Sequence, residues 1–513
     1  MTKVPPTILE ISQKPENQGR KIFSKWASWD GSNQEINFSN DEFRSFSEIS
    51  TQPFGDISRE TLDRSDTVVY SNILEAGISE RVVRQIWESN AEPEWMLDIR
   101  LKSLKLFQEM KTPTWGPSLE KLDLDSIYYF GKPEWSGDNK SWDDVPDAIK
   151  STFDRLGIPE AERAMLAGVG AQYDSEVVYH SLRQELQDQG VIFEDMSVAI
   201  RTHEDIVRSH FMRAVPPSDH RFAALHGAVW SGGTFLYIPA GVQIDAPLQA
   251  YFRMNMQSGG QFEHTLIVLE EGSAAHYIEG CSAPKYGTAS LHAGCVEIYV
   301  GEWAKMRYSS VENWSVDTYN LNTKRAIVEK WGSIEWVGGN LGSGVTMLYP
   351  CSILKWDDSR ALHFGIAFAN EGQETDTGAK VIHIGRNTAS EIVSKSLSKN
   401  GGISTYRWLV DIKKSAKNAT SKIDCDGLIL DSRSVSNTIP DIRIATDDAL
   451  IAHEASVGKI NEDTLFYLMS RWIVETEAKT MIVRGFVSPL LKELPLEYAA
   501  EMNVLIGMEM EWM

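Results

Sequence analysis

HTLIVLEEGSAAHYIEGCS (264–282) and CVEIYVGEWAKMRYSSVEN (295–313) carry one pattern twice. A short run rich in Val, Ile and Tyr meets a polar turn. A small residue follows, and a bulky one comes three or four places later. The small residue recurs at Ala274, Ala304, Ser333, Ala361, Ala389, Ala419 and Ala449, in steps of 30, 29, 28, 28, 30 and 30. Sandwich turns fall about every 8–12 residues and scatter more. A steady period near 30 predicts instead a parallel β-solenoid, whose coils bury their apolar faces only against one another.

The same texture extends from about 218 to 455, with KVIHIG (380–385) and EIVSKSLS (391–398) as further strands between Gly, Asn and Asp turns. No long helix interrupts it, which excludes βαβ units, so the expected solenoid core is 216–460. Upstream, residues 1–215 read as mainly helical. ISERVVRQIWESNAEPEWMLDIRLKSLKLFQEM (78–110) places apolar residues three and four apart and breaks near Pro93. Val145–Leu166, Asp174–Gln189 and His203–Ala214 are the other helices expected there. Asn461, Glu462 and Asp463 form a helix start signal. After it Thr464–Trp472, Val474–Gly485 and Leu494–Met510 make 461–513 a C-terminal helical region. The broad apolar stripe of the last helix is either a cap docked on the solenoid or an interface for a partner.

A chain of 513 residues is expected to hold two or three domains. Its formal net charge of −22 repels a phosphate backbone, which argues against nucleic acid and suits basic partners. Met1–Gly19 is polar and lacks the apolar region of a signal peptide, and no apolar run approaches the roughly 20 residues of a membrane helix. The expectation is a cytoplasmic protein. GxxxxGK[ST], GxGxxG and HExxH are absent. Pro239–Gly241, followed by His264 and Glu270, lacks the clustered histidines of a cupin metal site.

The four cysteines, Cys281, Cys295, Cys351 and Cys425, include no CxxC pair, and a disulfide framework is not expected. Each is either a small buried hydrophobe or a reactive thiol. One period separates Cys425 from His453 (28 residues) and Glu454 (29 residues). Neighbouring coils lie about 4.8 Å apart. A thiolate, an imidazole and a carboxylate should therefore gather near the last turn, as a labile iron site or as a buried Cys beside a polar ladder pair. Cys281 has nearly the phase of Cys425 about five coils away, or roughly 24 Å. That is too far to share a metal but suits the entry and exit of a sulfur path. Cys295, Lys324 and Cys351 fall on a different wall. Lys324 near a thiol would favour thiolate, and Cys295 and Cys351 read as packing residues.

A closer likeness lies in GIPEAERAMLAGVGAQYDSEVVYH (157–180), AVWSGGTFLYIPAGV (228–242), PLQAYFRMN (247–255), GQFEHTLIVLEEGSAAHYIEGCSAP (260–284) and VENWSVDTYNLNTKRA (311–326). It continues in DTGAKVIHIGRNT (376–388), AHEASVGKINEDTLFYLMSR (452–471) and KELPLEYAAEMN (492–503). From about residue 70 to its end the chain resembles the SufB family of iron–sulfur cluster assembly scaffolds. The resemblance implies a right-handed parallel β-helix flanked by helices, and a scaffold rather than an enzyme, with ATP hydrolysis in a partner. It implies a SufC-like ATPase on the C-terminal helices and a SufD-like paralogue or second copy on the β-helix. A cysteine desulfurase and a sulfur carrier would supply persulfide. The cofactor would be a transient iron–sulfur cluster and, as in some members, reduced flavin.

By the same resemblance Cys281 in EGCSAP is the persulfide acceptor and Cys425 in KIDCDGLIL is the cluster cysteine. His453 and Glu454 in AHEAS are the other metal ligands, and Trp314 and Lys324 lie along the sulfur path. Ala240, His264, Glu312 and Trp408 stand where the family commonly has Lys, Arg, Gln and Gly. Two other functions stand beside the scaffold. One is a SufD-like structural subunit without a cluster, against which both Cys281 and Cys425 are present. The other is a β-helix enzyme acting on acidic polysaccharide, against which the net charge argues.

Overall fold

The computed structural model describes residues 63–66, 68–134, 166–492 and 496–511. The helix expected at Val145–Leu166 lies outside the described residues except for its last position. Residues 1–62 lie outside them altogether.

Eight parallel strands stack as one wall: Leu248–Arg253, Ala274–Ser282, Lys305–Asn313, Ser333–Leu341, Arg360–Ala369, Ala389–Ser398, Thr420–Ile429 and Leu450–Lys459. Eight more form the facing wall: Thr234–Ile238, His264–Leu269, Cys295–Val300, Thr323–Val328, Cys351–Leu354, Glu374–His383, Ile403–Ile412 and Val435–Ile444. The expected β-solenoid is thus present, with about one turn per strand pair. In its first half Gly260–Gln261, Ser290–His292, Thr318–Asn320 and Val345–Leu348 form a short third side. That side merges into the ten-residue strand Glu374–His383, so the later coils are flatter.

Register explains the sequence period. Ala274, Lys305, Ser333, Arg360, Ala389, Thr420 and Leu450 lie side by side. Each repeated small residue is at that strand-initial position or one place from it: Ala304, Ala419 and Ala449 come one before, and Ala361 one after. Ala304 and Ala419 are fully buried there, because a larger side chain would not fit inside the corner. Stacked apolar side chains from both walls fill the interior, among them Tyr277, Tyr308, Trp336, Ile392 and Ile423 facing Ile298, Ala326, Leu354, Val381 and Val410.

The described helices are α1 (Glu80–Ser89), α2 (Glu94–Glu109), α3 (Gln184–Asp188), α4 (Met196–Thr202), α5 (Glu204–His210), α6 (Arg221–Val229), α7 (Glu462–Met469), α8 (Glu475–Leu491) and α9 (Leu496–Glu511). The Ser79 hydroxyl caps α1, and Pro93 separates α1 from α2. The Asn461 side chain accepts from Thr464 N and caps α7, as the start signal implied. None of these helices is long and apolar enough to cross a membrane.

Asp174–Gln189 is corrected. Gly168–Tyr173 and Glu176–Leu182 form an antiparallel hairpin, and only α3 is helical. Val177, Val178 and Tyr179 favour strand once an edge is at hand. Gly168–Tyr173 supplies that edge by joining the first wall beside Leu248–Arg253. The sheet therefore begins at 168 rather than 216.

The hairpin turn holds Asp174 at φ 51, with its carboxylate accepting from the Tyr70 hydroxyl (2.7 Å), Asn255 N (2.6 Å) and Met256 N (3.0 Å). Burial pushes this carboxyl up to about 6, against the pull of those donors. The folded chain then binds this proton more tightly than the unfolded chain, so stability should fall as pH rises from about 4 to 6. Two pKa units correspond to about 3 kcal/mol. Urea unfolding at several pH values should show that slope, and Asp174→Asn should flatten it.

Of the two readings of the last helix, docking holds. Met502, Leu505, Ile506, Met508 and Met510 of α9 pack against Val337, Leu341, Phe364, Ile366 and Phe368 on the outer side of the first wall. The helix covers a flank, not the end. The last coil stays open, with Val435, Ile439, Ile442, Ile444, Leu450 and Val457 between 38% and 66% exposed. Phe466, Tyr467 and Trp472, on α7 and just past it, are 74%, 57% and 97% exposed.

Candidate functional site

Parallel register turns the sequence period into straight rows inside the solenoid. One inward row runs Tyr277, Tyr308, Trp336, His363, Ile392, Ile423, His453. The next runs Glu279, Ser310, Gly338, Gly365, Ser394, Cys425, Ala455, and a third runs Cys281, Glu312, Asn340, Ala367, Ser396, Gly427. Cys281 and Cys425 therefore share the interior, five coils and one row apart.

At the first end, Cys281 is buried with its sulfur 3.9 Å from Glu279 Oε1. Lys324 reaches across from the second wall to Glu279 (3.2 Å) and Glu312 (2.7 Å). Glu312 also accepts from Asn320 Nδ2 (2.5 Å) and the Trp314 indole N–H (3.5 Å). His292 bonds Asn320 (2.8 Å) and Glu263 (2.5 Å), and its ring lies 4.4 Å from that of Trp314. Cys281, Trp314 and Lys324 thus meet in one buried polar network. Glu279, Glu263 and His292 belong to it as well, although nothing in the sequence singled them out.

Lys324 favours the thiolate of the nearby Cys281, as expected, but it is outweighed. Burial, then Glu279, Glu312 and Glu263, push the Cys281 thiol well up, and Lys324 pulls the other way more weakly. The ammonium is already shared by two carboxylates. Burial alone would push Glu312 up, but Lys324 and His292 hold it below the usual range. Lys324→Met should leave Glu279 and Glu312 facing each other in a dry interior. A stability loss of about 3–5 kcal/mol is expected by urea unfolding. Most of it should return when Glu279→Gln and Glu312→Gln are added.

At the other end, register pairs Ile423 with His453, Asp424 with Glu454 and Cys425 with Ala455. His453 is two places from the partner of Cys425 and on the same side. Glu454 is one place off, beside Asp424, on the outward side. Trp408 reaches in from the second wall, edge-on to His453 with ring centroids 4.8 Å apart. Burial, Asp424 and Asp426 push the Cys425 thiol up to about 12, and the Trp408 side chain is what pulls it down. The fold gathers Cys425, His453 and Trp408 and turns Glu454 away.

Between the two ends lies a cavity of about 40 Å³ bordered by Tyr308, Ser310, Lys324, Gly338, Gly365, Ser394 and Tyr406. It exists because the middle row loses its side chains at Gly338 and Gly365. A Cβ at Gly365 would meet nothing within 4 Å. The gap runs from Lys324 to Ser394, the register neighbour of Cys425.

Cys351 faces outward in register with Arg325 and borders a separate cleft of about 840 Å³. Lys111, Arg221, Arg325, Lys380, Arg407 and Arg443 line that cleft with Trp115, Tyr349 and Trp408, against only Asp219 and Asp441. In so acidic a chain it is a cationic, aromatic recess. Cys295 also faces outward, beneath α6.

Comparison with known proteins matches most of the chain. The family model "SUF system FeS cluster assembly, SufBD core domain" matches residues 252–486, and "SufBD protein N-terminal region" matches 89–250. The iron–sulfur cluster assembly protein SufB of Bacillus subtilis (strain 168) is 51% identical over 437 residues, covering 85% of this chain and 94% of that protein. An iron–sulfur cluster assembly SufBD family protein of Staphylococcus aureus (strain MRSA252) is 53% identical over the same shares.

Proposed function

Because the chain belongs to the SufBD family of the SUF iron–sulfur cluster assembly system, we propose that it is the scaffold subunit on which the cluster is built. The observation that carries this reading is the row of small residues, Ser310, Gly338, Gly365 and Ser394, between Glu279 beside Cys281 and Cys425. Cys281 would take sulfane sulfur from a carrier persulfide, R–S–SH plus Cys281–SH giving R–SH plus Cys281–S–SH. Glu279 is the nearest group able to receive the thiol proton during attack. The sulfane would then pass beside Lys324 and Trp314 and along the gap to Cys425. Iron would bind Cys425 and His453, since the metal can displace a thiol proton that burial holds. Glu454 would join them if the last coil turns, and that coil is exposed on both faces.

Opening so closed an interior needs work, and this reading assigns it to ATP hydrolysis in a SufC-like ATPase. Exposed Phe466, Tyr467 and Trp472 are the apolar anchors such a partner would cover. The open edge at Val435–Ile444 and Leu450–Lys459 would pair with a SufD-like paralogue or a second copy by strand addition. A cysteine desulfurase and its carrier would deliver the sulfur. A flavin would sit in the cationic cleft, its phosphates toward the basic side chains and its ring system against the aromatic ones. Bound in reduced form, flavin would supply the two electrons that turn sulfane sulfur into sulfide.

Anaerobic incubation of the complex with iron and sulfide should develop sulfur-to-iron absorption in the visible range. A complex that stays colourless would favour the non-cluster-bearing, SufD-like alternative.

A further inference from the structure

On the outer face of the second wall, away from both ends of the sulfur row, two buried histidines and a buried cysteine converge. His264 and Cys295 are register partners on adjacent strands, so their side chains stand side by side. α6 lies over them and lowers His226 into the same spot. One ligand atom from each of the three lies within 4.8 Å of the other two, and all three residues are at most 1% exposed.

With neutral imidazoles and an ionised Glu297, the hydrogen-bond arithmetic of this cluster does not close. His226 Nδ1 is 2.9 Å from the Ala293 carbonyl oxygen, which can only accept, so that nitrogen carries the hydrogen. His226 Nε2 is therefore bare, and it lies 2.9 Å from His264 Nδ1, which must be the donor. Neutral His264 then has a bare Nε2. That atom lies 3.2 Å from Glu297 Oε2 and makes no hydrogen bond. As a carboxylate Glu297 has no hydrogen to donate, and its oxygens accept from Met212 N (2.5 Å) and Val215 N (2.8 Å). In that state two acceptors face each other in a fully buried site.

We propose that His226 Nε2, His264 Nδ1 and Cys295 Sγ hold a divalent transition-metal ion, zinc or ferrous iron, that pins α6 to the solenoid. With a metal between the two facing nitrogens, the hydrogen of His264 sits on Nε2 and donates to Glu297 Oε2. Both imidazoles then give their remote N–H to an oxygen, the usual support of metal-bound histidine. Binding releases one proton, from the Cys295 thiol. The charges balance, since the dication meets one thiolate and one carboxylate. A mixed nitrogen and sulfur set selects a borderline metal over magnesium or calcium. Bonds of about 2.0–2.3 Å require the nitrogens to part by a few tenths of an ångström and the sulfur to close in by about one. This ion is distinct from the cluster, because the site lies on the opposite face of the sheet from the sulfur row.

The test uses the full chain in a Cys425→Ala background, which removes the cluster cysteine. The protein is made with cobalt in the growth medium, since so closed a site loads as the chain folds. It is then chelator-washed and purified without oxygen. One cobalt per chain is expected, with thiolate-to-cobalt charge-transfer absorption. Cys295→Ser should abolish that absorption, and Glu297→Gln should weaken retention against a competing chelator by about 10–100-fold. Far-UV circular dichroism identifies variants that remain folded. Folded parent protein with no bound cobalt overturns the proposal, as does a charge-transfer band that survives Cys295→Ser.

Discussion

Cys425→Ala should abolish cluster formation on the assembled complex, whereas Cys351→Ala should leave it unchanged. Both thiols are buried, yet they face opposite ways. Cys425 looks into the interior beside His453 and Trp408, while Cys351 looks out into the cationic cleft. Among the described residues no other cysteine points inward near the last coils, so nothing can replace the lost sulfur ligand. Removing one buried sulfur should cost about 1 kcal/mol and leave the fold intact. The readout is visible absorption and acid-labile sulfide after anaerobic assembly. Equal sulfide in Cys425→Ala and wild type would remove Cys425 from the site and leave the last coil a structural end.

The period near 30 was legible because each coil spends a small residue at its corner, and the register confirms the rows it implied. What the period could not deliver was the side on which a residue falls. Strand side chains alternate, so the spacings of 28 and 29 from Cys425 send His453 inward and Glu454 outward. The surroundings of Lys324 were hidden for a related reason. Glu279 lies 45 residues upstream and meets it only because two walls face each other. The strand Glu176–Leu182 carries a helical pattern in sequence, because the edge that recruits it, Gly168–Tyr173, becomes an edge only once the sheet exists. His264 and Cys295, 31 residues apart, were one period from each other and open to discovery. His226 arrives from a helix whose placement no repeat encodes.

Gly365→Val should stop sulfur from reaching Cys425 while sparing the fold. Gly365 stands midway in the row from Glu279 to Cys425, and the space above its Cα is the gap itself. A β-branched side chain suits a strand, and replacing Gly removes freedom from the unfolded chain. Any overpacking should hold the net cost to about 1–3 kcal/mol. The two branched methyl groups would occupy the passage between Lys324 and Ser394. With persulfide delivered by a desulfurase and carrier, isotopically labelled sulfur should accumulate on Cys281, and little should be recovered from Cys425 after alkylation and mass analysis. Free sulfide and iron bypass the passage, so cluster should still form when they are supplied directly. Gly365→Ala fills less of the space and should fall between. If Val at 365 lets label reach Cys425 at the wild-type rate, the sulfur travels by another route. The row of small residues would then be a packing feature of the flattened coils.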